Sequence, residues 1–520
     1  MFSLALLIGV YSYLIFCLGI LGFLSKENVI VITLIFLVLI VFFGREKIKF
    51  KKIDIPRQPK WLIWILFLIV IVNLIGALGP ELGFDALWYH LTLPKIFLMW
   101  HKIEHIPGGL LYYSDMPKLG EILYISALSF GNEILAKIIH FSFGVLVLVA
   151  LYKLSRIFLD KKFSLIAVLI FYSNLVVDWQ STTAYVDLIR TFFETMALWA
   201  FLNFEKTKKQ KWLVESAVMV GLAISAKLLA LGSLVIFIFL LVIMERKISK
   251  NPFIFSFISI LISSPWFIFS YINTGNPVYP FFTKFYDVPV SLSLFNPVRF
   301  LSDTIFIFTR SADPISPLYL IFLPVSLLLF RKFNHLMKMI LLYSILSIIV
   351  WYFTPRTGGG RFLMPYLPAF SLITSFIVFS LPKDLKRFSI SLIIIVSLIS
   401  LVYRGLANYR YLKFDLGLQS KSQFLTNNLN FSYGNFFDTD GYFKKHIKNS
   451  DKVLLYGFHN LYYVDFPFID SSYVKGGDKF NYIAVQNSKL PSRFSFWREI
   501  YSNPKTGVRL YSLGGQEWVY

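Results

Sequence analysis

Acidic and histidine side chains are concentrated between Gly79 and about Asn132, in a chain that is otherwise largely apolar. They are Glu81, Asp85, His90, His101, Glu104, His105, Asp115 and Glu121. Ionisable groups are costly beside a bilayer, so this cluster predicts a functional site. Asp85 is the main catalytic candidate, because a carboxylate at the headgroup boundary can take a proton from a hydroxyl or amine. A helix N-cap or a solvated loop acid is the alternative interpretation.

Aromatic and histidine side chains follow Asp85 in the stretch F-D-A-L-W-Y-H-L-T-L-P-K. At helical spacing Asp85 and Tyr89 share one face. We therefore include Tyr89 and His90 among the substrate-binding candidates. The aromatic residues also suit the interfacial belt of a membrane protein.

Asp187 is the second catalytic candidate, in S-T-T-A-Y-V-D-L at the outer end of a predicted membrane span. An acid that enters an apolar segment is a site hypothesis by default. The alternative is that Asp187 caps the helix that begins there.

Three cations on the same predicted side are candidates for binding a phosphate. Lys227 lies in G-L-A-I-S-A-K-L-L-A, and Arg356 and Arg361 flank three glycines in P-R-T-G-G-G-R. Lysine binds phosphate as a point charge, and arginine can bind it with two parallel hydrogen bonds. Alternatively, Lys227 extends to lipid headgroups and the glycine turn is a flexible hairpin.

No metal site is predicted with a diagnostic spacing. His101, Glu104 and His105 are weak candidates for ligands of a divalent cation, and solvated loop side chains are the alternative. Cys17 is the only cysteine, so neither an intrachain disulfide nor a cysteine metal site can form.

The composition predicts a polytopic membrane protein: 56% of the 520 residues are hydrophobic and 15% are charged. The net charge of +22 arises largely from Lys and Arg in short loops between apolar runs, so we predict no nucleic-acid binding. About thirteen membrane spans are expected, near 4–24, 28–43, 61–79, 133–152, 163–177, 188–204, 212–226, 228–244, 252–271, 317–330, 338–353, 362–380 and 388–404. The short run 119–130 is expected to be re-entrant or interfacial.

The basic loops predict the orientation of these spans. Loops near 44–60, 153–162, 205–211, 245–251, 331–338 and 382–387 are basic, whereas the alternate loops carry little charge. The N-terminus is then cytoplasmic. Asp85, Asp187, the glycine turn and the C-terminal segment all face outward.

Two domains are predicted. Residues 1–404 form the transmembrane module, with a first outer loop at about 80–131 and a further outer loop at about 272–316. Residues 405–520 contain short apolar runs bounded by Gly, Asn, Asp or Pro, which are typical of strands. They predict a small extracytoplasmic α/β domain.

Four stretches between about residues 61 and 405 together resemble the GT-C class of integral-membrane glycosyltransferases. They are F-D-A-L-W-Y-H-L-T-L-P-K, Y-S-D-M-P-K-L-G-E-I-L-Y, T-A-Y-V-D-L, and G-L-A-I-S-A-K with the later S-P-W-F-I-F-S-Y-I-N-T-G-N-P-V-Y-P-F. The bacterial relatives of protein O-mannosyltransferases and of the aminoarabinose transferase for lipid A are the most similar in pattern. This resemblance implies an all-α membrane fold that often carries an outer C-terminal domain.

The resemblance also implies transfer of a sugar from a polyprenyl-phosphate-linked donor to a lipid, glycan or protein acceptor in the cell envelope. Asp85 would match the acid that activates the acceptor, and Asp187 the second acid. Lys227, Arg356, Arg361, Tyr89 and His90 would contact the donor or its phosphate, with a divalent cation as a possible addition. Many members have an Asp-Glu pair at the first site, where this chain has Ala86, which counts against protein mannosylation. Direct displacement would invert the anomeric centre.

A transporter or flippase of lipid-linked saccharides is the main alternative function. Transporters usually place ionisable residues in the middle of spans, whereas here they concentrate in outer loops. Another lipid-linked transferase, such as an O-antigen polymerase or ligase, and a scaffold without catalytic activity are further alternatives.

Overall fold

The structure is a computed structural model that describes residues 1–44, 59–244, 249–286, 292–354 and 359–520. The α-helices in these ranges are α1 (Phe2–Ile20), α2 (Lys26–Gly44), α3 (Lys60–Leu78), α4 (Thr92–Trp100), α5 (Leu119–Phe130), α6 (Glu133–Ser155), α7 (Lys161–Tyr172), α8 (Leu175–Gln180), α9 (Asp187–Thr207), α10 (Gln210–Ala226), α11 (Leu231–Met244), α12 (Asn251–Thr274), α13 (Pro297–Thr309), α14 (Leu318–Phe322), α15 (Val325–Leu329), α16 (His335–Phe353), α17 (Leu367–Ser380), α18 (Lys383–Asp415), α19 (Lys421–Asn428) and α20 (Tyr442–His446).

The helical part is an integral membrane module. Within the described residues, α1, α3, α6, α12, α16 and α18 are long and apolar enough to cross a bilayer. The stretches 119–130, 228–244 and 364–380 are shorter apolar helices. These findings confirm the mostly helical membrane fold, whereas the count of thirteen spans stays a prediction.

Two predicted spans are not single helices. The stretch 317–330 forms α14 and α15, which are separated at Pro324. Proline has no backbone N–H and fixes φ, so it favours a break at this position. The stretch 163–177 is also divided, because α7 ends at Tyr172 and α8 begins at Leu175. The prediction of one continuous helix is therefore wrong in both places.

A buried polar cluster fixes the helices that carry the site. Arg190 Nε on α9 lies 2.6 Å from Glu194 Oε1. Ser233 on α11 donates to Glu194 Oε2 at 2.7 Å, and Arg190 donates to the Tyr366 hydroxyl at 3.2 Å. A buried charge needs such partners, because solvation by water is lost. The cluster thus connects the start of α9 with the turn that follows Arg361.

The C-terminal segment contains a small sheet. Its strands are β1 (Val453–Tyr456), β2 (Phe468–Asp470), β3 (Lys479–Phe480), β4 (Tyr482–Gln486), β5 (Arg498–Asn503), β6 (Val508–Ser512) and β7 (Trp518–Val519). Five of them form a sheet in the order β2-β1-β4-β6-β5, and β3 pairs with β7. The pairs of β1 with β2 and β4 are parallel, and those of β6 with β4 and β5 are antiparallel.

The sequence of β1 explains its place in the interior of this sheet, between β2 and β4. Val453 and Leu455 pack into one apolar cluster, and Leu454 packs into another. Successive side chains of a strand point to opposite faces, so a continuous apolar run suits a strand that is covered on both sides. The predicted boundary at residue 405 lies inside α18, which continues to Asp415. The division into two domains stays a prediction.

Candidate active site

Glu81 joins the loop that carries Asp85 to the loop that carries Asp187. Its Oε1 accepts hydrogen bonds from the N–H groups of Leu82 at 2.8 Å and Gly83 at 2.6 Å. Its Oε2 accepts from the N–H of Ala184 at 2.6 Å. Burial raises the pKa of Glu81, and the neighbouring Lys137 and these N–H groups oppose that effect. Glu81 is thus a structural link between the two acid-bearing segments.

Helix α6 holds both segments from the other side. Lys137 Nζ donates to the carbonyls of Gly76, Gly79 and Pro80 at 2.8, 2.6 and 3.1 Å, and so satisfies the C-terminal end of α3. His140 Nε2 accepts from the N–H of Leu188 at 3.0 Å, next to Asp187. The positions of Asp85 and Asp187 therefore depend on the same helix.

Asp85 lies immediately before a π-helical turn, Ala86–His90. Such turns are rare and frequently occur at functional sites. The Asp85 side chain caps no helix; its Oδ2 accepts from Arg361 Nη1 at 2.7 Å and from the Tyr89 hydroxyl at 3.4 Å. Its backbone N–H donates to the Tyr185 hydroxyl at 3.1 Å. The contact with Tyr89 agrees with the shared face expected from the sequence.

Asp187 is the first residue of α9, and Val186 holds the N-cap position. Lys227 follows the last residue of α10 and donates to Asp187 Oδ1 at 2.6 Å. Arg361 Nε lies 4.0 Å from Asp187 Oδ2. The structure thus favours an ion pair over the capping role of Asp187 and over the extension of Lys227 to headgroups.

A cavity of about 330 Å³ lies beside this cluster, within the usual size range of small-molecule sites. Aromatic side chains make up much of its wall: Trp88, Tyr89, Tyr112, Tyr113, Phe281, Tyr286 and Phe362. Asp85, Lys227 and Arg361 contribute its charged groups. A larger cavity of about 430 Å³ is lined by His101 and Glu133 but by neither catalytic candidate, so we place the site in the smaller one.

The two cavity cations lie against aromatic rings. Lys227 Nζ is 5.2 Å from the centre of the Phe362 ring. The Arg361 guanidinium is 5.2 Å from the Tyr185 ring and 5.4 Å from the Phe362 ring. Rings at this distance attract cations and restrict their positions. The arrangement presents two oriented positive charges and one carboxylate to the same cavity.

His90 does not line this cavity. Its Nδ1 forms a buried pair with Glu121 Oε1 at 2.6 Å. Its ring lies against those of Tyr89 and Tyr185, with centres 4.2 and 5.4 Å away. His90 therefore lies behind Tyr89, and a direct contact with substrate stays a prediction. Arg356 lies outside the described residues.

The three weak metal candidates have separate surroundings. His101 is exposed at the end of α4. Glu104 Oε2 lies 2.5 Å from Lys102 Nζ, and His105 Nδ1 lies 2.6 Å from Asp115 Oδ2. In the part of the chain that the structure describes, no three His, Cys, Asp or Glu side chains are grouped to hold a metal ion.

Asp313 is a neighbour of the site that sequence reasoning missed. Burial raises its pKa to about 6; Arg361 opposes this shift, and Asp187 and Asp85 add to it. The turn with Arg361 packs closely on it, since a Cβ atom on Gly360 would lie 2.2 Å from the Asp313 carbonyl oxygen. Gly360 therefore permits close packing of this turn against Asp313.

The C-terminal segment contacts the loop around Asp85. The His459 ring stacks on Phe84, with centres 4.8 Å apart, and lies 4.5 Å from Trp88. The Tyr463 hydroxyl donates to the Glu81 carbonyl at 2.9 Å. The aromatic wall of the cavity is thus supported by side chains more than 350 residues away in sequence, which no local pattern could predict.

Comparisons with known proteins identify a family model and solved structures that are similar to this chain. Residues 122–269 match the family model described as dolichyl-phosphate-mannose-protein mannosyltransferase. No curated protein matches the chain significantly. The structure of ArnT from Cupriavidus metallidurans in the apo state aligns with 87% of this chain and 98% of its own, at 12% identity and a TM-score of 0.58. ArnT bound to undecaprenyl phosphate gives the same coverage and identity, with a TM-score of 0.56.

The resemblance to the GT-C glycosyltransferases is confirmed. The family match extends from α5 to α12 and includes Asp187 and Lys227, whereas Asp85 and Arg361 lie outside it. The likeness to ArnT covers most of the chain and shows a shared GT-C fold. The archaeal oligosaccharyltransferase from Archaeoglobus fulgidus aligns with 86% of this chain and 73% of its own at 14% identity, but its TM-score of 0.48 supports no conclusion.

Proposed function

We propose that this protein transfers a sugar from a polyprenyl-phosphate-linked donor to an acceptor of the cell envelope. The central observation is that Arg361, Lys227 and Asp85 line one cavity of about 330 Å³. Two cations suit a phosphate, and an adjacent carboxylate suits an acceptor hydroxyl or amine. The family match and the ArnT fold, which is known with undecaprenyl phosphate bound, support the same donor chemistry.

The reaction is a single displacement at the anomeric carbon of the donor sugar. A hydroxyl or amine of the acceptor forms the new bond, and its proton passes to Asp85. The bond between the anomeric carbon and the phosphate oxygen breaks, and the electron pair stays on that oxygen. Negative charge therefore grows on the phosphate, where Arg361 and Lys227 stabilise it more strongly in the transition state than in the ground state. Displacement from the opposite face inverts the anomeric centre.

Asp187 acts as a positioning residue in this scheme. It is fully buried, pairs with Lys227 at 2.6 Å and lies 4.0 Å from Arg361. It therefore holds the two cations at the positions where the phosphate needs them. Tyr89 has a corresponding role for Asp85 through its hydroxyl contact of 3.4 Å.

A divalent cation does not fit the described residues well. Asp85 and Asp187 each face a protein cation, and His101, Glu104 and His105 lie apart. The proposed reaction therefore has no step that uses a metal.

The acceptor is a lipid, a glycan or a protein. The donor and the enzyme meet within the lipid of the membrane. We place the protein in the plasma or inner membrane, with its N-terminus in the cytoplasm. The site and the C-terminal domain then lie on the outer, extracytoplasmic side of that membrane.

The proposal is tested by sugar transfer. Purified protein in lipid vesicles is given a set of radiolabelled polyprenyl-phosphate sugars and a membrane extract as acceptor source. We expect one donor to yield a labelled product, and an extract without enzyme to yield none. Failure of every donor, together with movement of labelled lipid across the vesicle bilayer, would instead support a flippase.

A further inference from the structure

The two cations that suit a donor phosphate already contact carboxylates. Arg361 Nη1 donates to Asp85 Oδ2 at 2.7 Å, and Lys227 Nζ donates to Asp187 Oδ1 at 2.6 Å. A phosphate oxygen and a carboxylate oxygen are acceptors of the same kind for a guanidinium or an ammonium group. A phosphate that binds in this cavity therefore competes with the protein's own acids.

The two ion pairs differ in their exposure to the cavity. The side chains of Asp85 and Arg361 are 16% and 11% exposed, and both line the cavity. The Asp187 side chain is fully buried and does not line the cavity. A ligand can therefore reach the Asp85–Arg361 pair directly, whereas only Lys227 of the second pair is accessible from the cavity.

Arg361 also has unused hydrogen-bonding capacity. Within the described residues its Nε is buried without a hydrogen-bond partner, and the facing Asp187 Oδ2 is likewise unpartnered. Its guanidinium is bounded by the rings of Tyr185 and Phe362. These rings keep the guanidinium in the site but allow it to rotate. Arg361 can therefore exchange a carboxylate for a phosphate that binds nearby.

We propose that the donor phosphate displaces Asp85 as the ion-pair partner of Arg361. Asp85 then becomes an effective base only after the donor has bound. This inference rests on the proposed function. An ion-paired carboxylate is a poor proton acceptor, because a proton must displace a favourable contact between opposite charges. The acceptor is therefore activated only after the donor has bound, and a water molecule or stray hydroxyl is not activated in the absence of donor.

The same exchange resets the site. During transfer, the acceptor proton moves to Asp85 while the phosphate, with its added negative charge, holds Arg361. When the polyprenyl phosphate leaves, Arg361 returns to Asp85, which releases its proton to water. Each cycle thus moves one proton from acceptor to solvent and needs no further reactant.

Binding of a polyprenyl phosphate, measured without any sugar transfer, tests the proposal. The probe is a fluorescent polyprenyl monophosphate added to purified protein in nanodiscs. Asp85→Asn removes the competing charge with little change of shape. It should therefore bind the probe at least about fivefold more tightly than the wild type, at the lower end of usual couplings between sites. Inorganic phosphate should show a gain in the same direction, which separates the phosphate contact from that of the lipid chain.

Two variants serve as controls. Asp85→Glu keeps the competing charge and should bind the probe as the wild type does. Asp465→Asn removes an exposed acid near Lys95, outside the cavity, and should also leave affinity unchanged. If the Asp85→Asn protein is not folded, as judged by thermal unfolding, Asp85→Ala replaces it.

An unchanged or weaker affinity in folded Asp85→Asn protein would overturn the exchange but leave the proposed function intact. Absence of probe binding in both wild type and variant would instead overturn the proposed donor, and the exchange with it. Equal gains in Asp85→Asn and Asp465→Asn would show a general effect of net charge, which also contradicts the exchange.

Discussion

Asp313 shows how a residue near the site influences stability. Burial is the main cause that raises the pKa of Asp313 to about 6, and the positive charge of Arg361 opposes this shift. The folded protein therefore holds this proton more tightly than the unfolded chain, whose carboxyl has the ordinary value of 3.8. Between these values the folded state is progressively destabilised as the pH rises, because ionisation is easier in the unfolded chain.

We predict that Asp313→Asn is more heat-stable than the wild type at about pH 7.5, and that this advantage narrows at about pH 4.5, where Asp313 is protonated in the folded protein. Thermal unfolding of both proteins in the same detergent at both pH values measures the difference. An advantage that is the same at both values would contradict the role given to burial of Asp313.

The sequence indicates which side chains form the site, but it does not indicate which of them contact one another. Asp85, Asp187, Lys227 and Arg361 were chosen because charged groups are rare in an apolar chain and concentrate where they have a use. Their mutual contacts span up to 276 residues, and no periodic pattern encodes such distances. For the same reason the sequence points neither to Asp313 nor to Glu121 as the partner of His90.

Among the structural elements, the loop after α4 is closely fitted to the C-terminal segment. Gly108 has a φ of +91°, which side chains rarely adopt, and a Cβ atom there would lie 1.8 Å from the Ser472 carbonyl oxygen. The same interface includes the stacking of His459 on Phe84, one residue before Asp85. The path of this loop thus affects the position of the catalytic candidate.

We predict that Gly108→Ala destabilises the protein by about 2 kcal/mol, because it combines backbone strain with a backbone clash. Gly405→Ala is the matched control. Gly405 lies within α18 with no atom near its Cβ position, so alanine should be neutral or stabilising by about 0.5–1 kcal/mol. Thermal unfolding and limited proteolysis of the C-terminal segment report the effects. Equal stability of the two variants would show that the backbone around Ser472 can move to accommodate the added methyl group, and would contradict the prediction.

Element positions were predictable where apolar runs are long and uniform. The runs near 28–43, 61–79 and 133–152 correspond to α2, α3 and α6, because backbone hydrogen bonds must be satisfied within a bilayer. The breaks at Pro324 and after Tyr172 were missed, since hydrophobicity alone does not register where a helix is interrupted. The extension of α18 to Asp415 was missed because its last turns are polar.

For the whole molecule, the distribution of basic residues predicts the orientation in the membrane. The protein has one cysteine, Cys17, which is exposed, so Cys17→Ser provides a background for single labels. We predict that Ser488→Cys on this background reacts with a membrane-impermeant maleimide on intact cells. Lys208→Cys, in a basic loop after α9, should react only after the membrane is permeabilised. The reverse pattern would place the site on the cytoplasmic side and contradict the outer location.

The central claim is that Asp85 is the base of a glycosyl transfer, and one measurement tests it most directly. Transfer of labelled sugar from the active polyprenyl-phosphate donor is compared between the wild type and Asp85→Asn, in protein shown to be folded and to bind polyprenyl phosphate. Loss of general base catalysis typically lowers a rate by about 10²–10⁴-fold, and we predict a loss of this size with donor binding retained or strengthened. Transfer at the wild-type rate by folded Asp85→Asn protein would remove Asp85 from the chemistry and contradict this account.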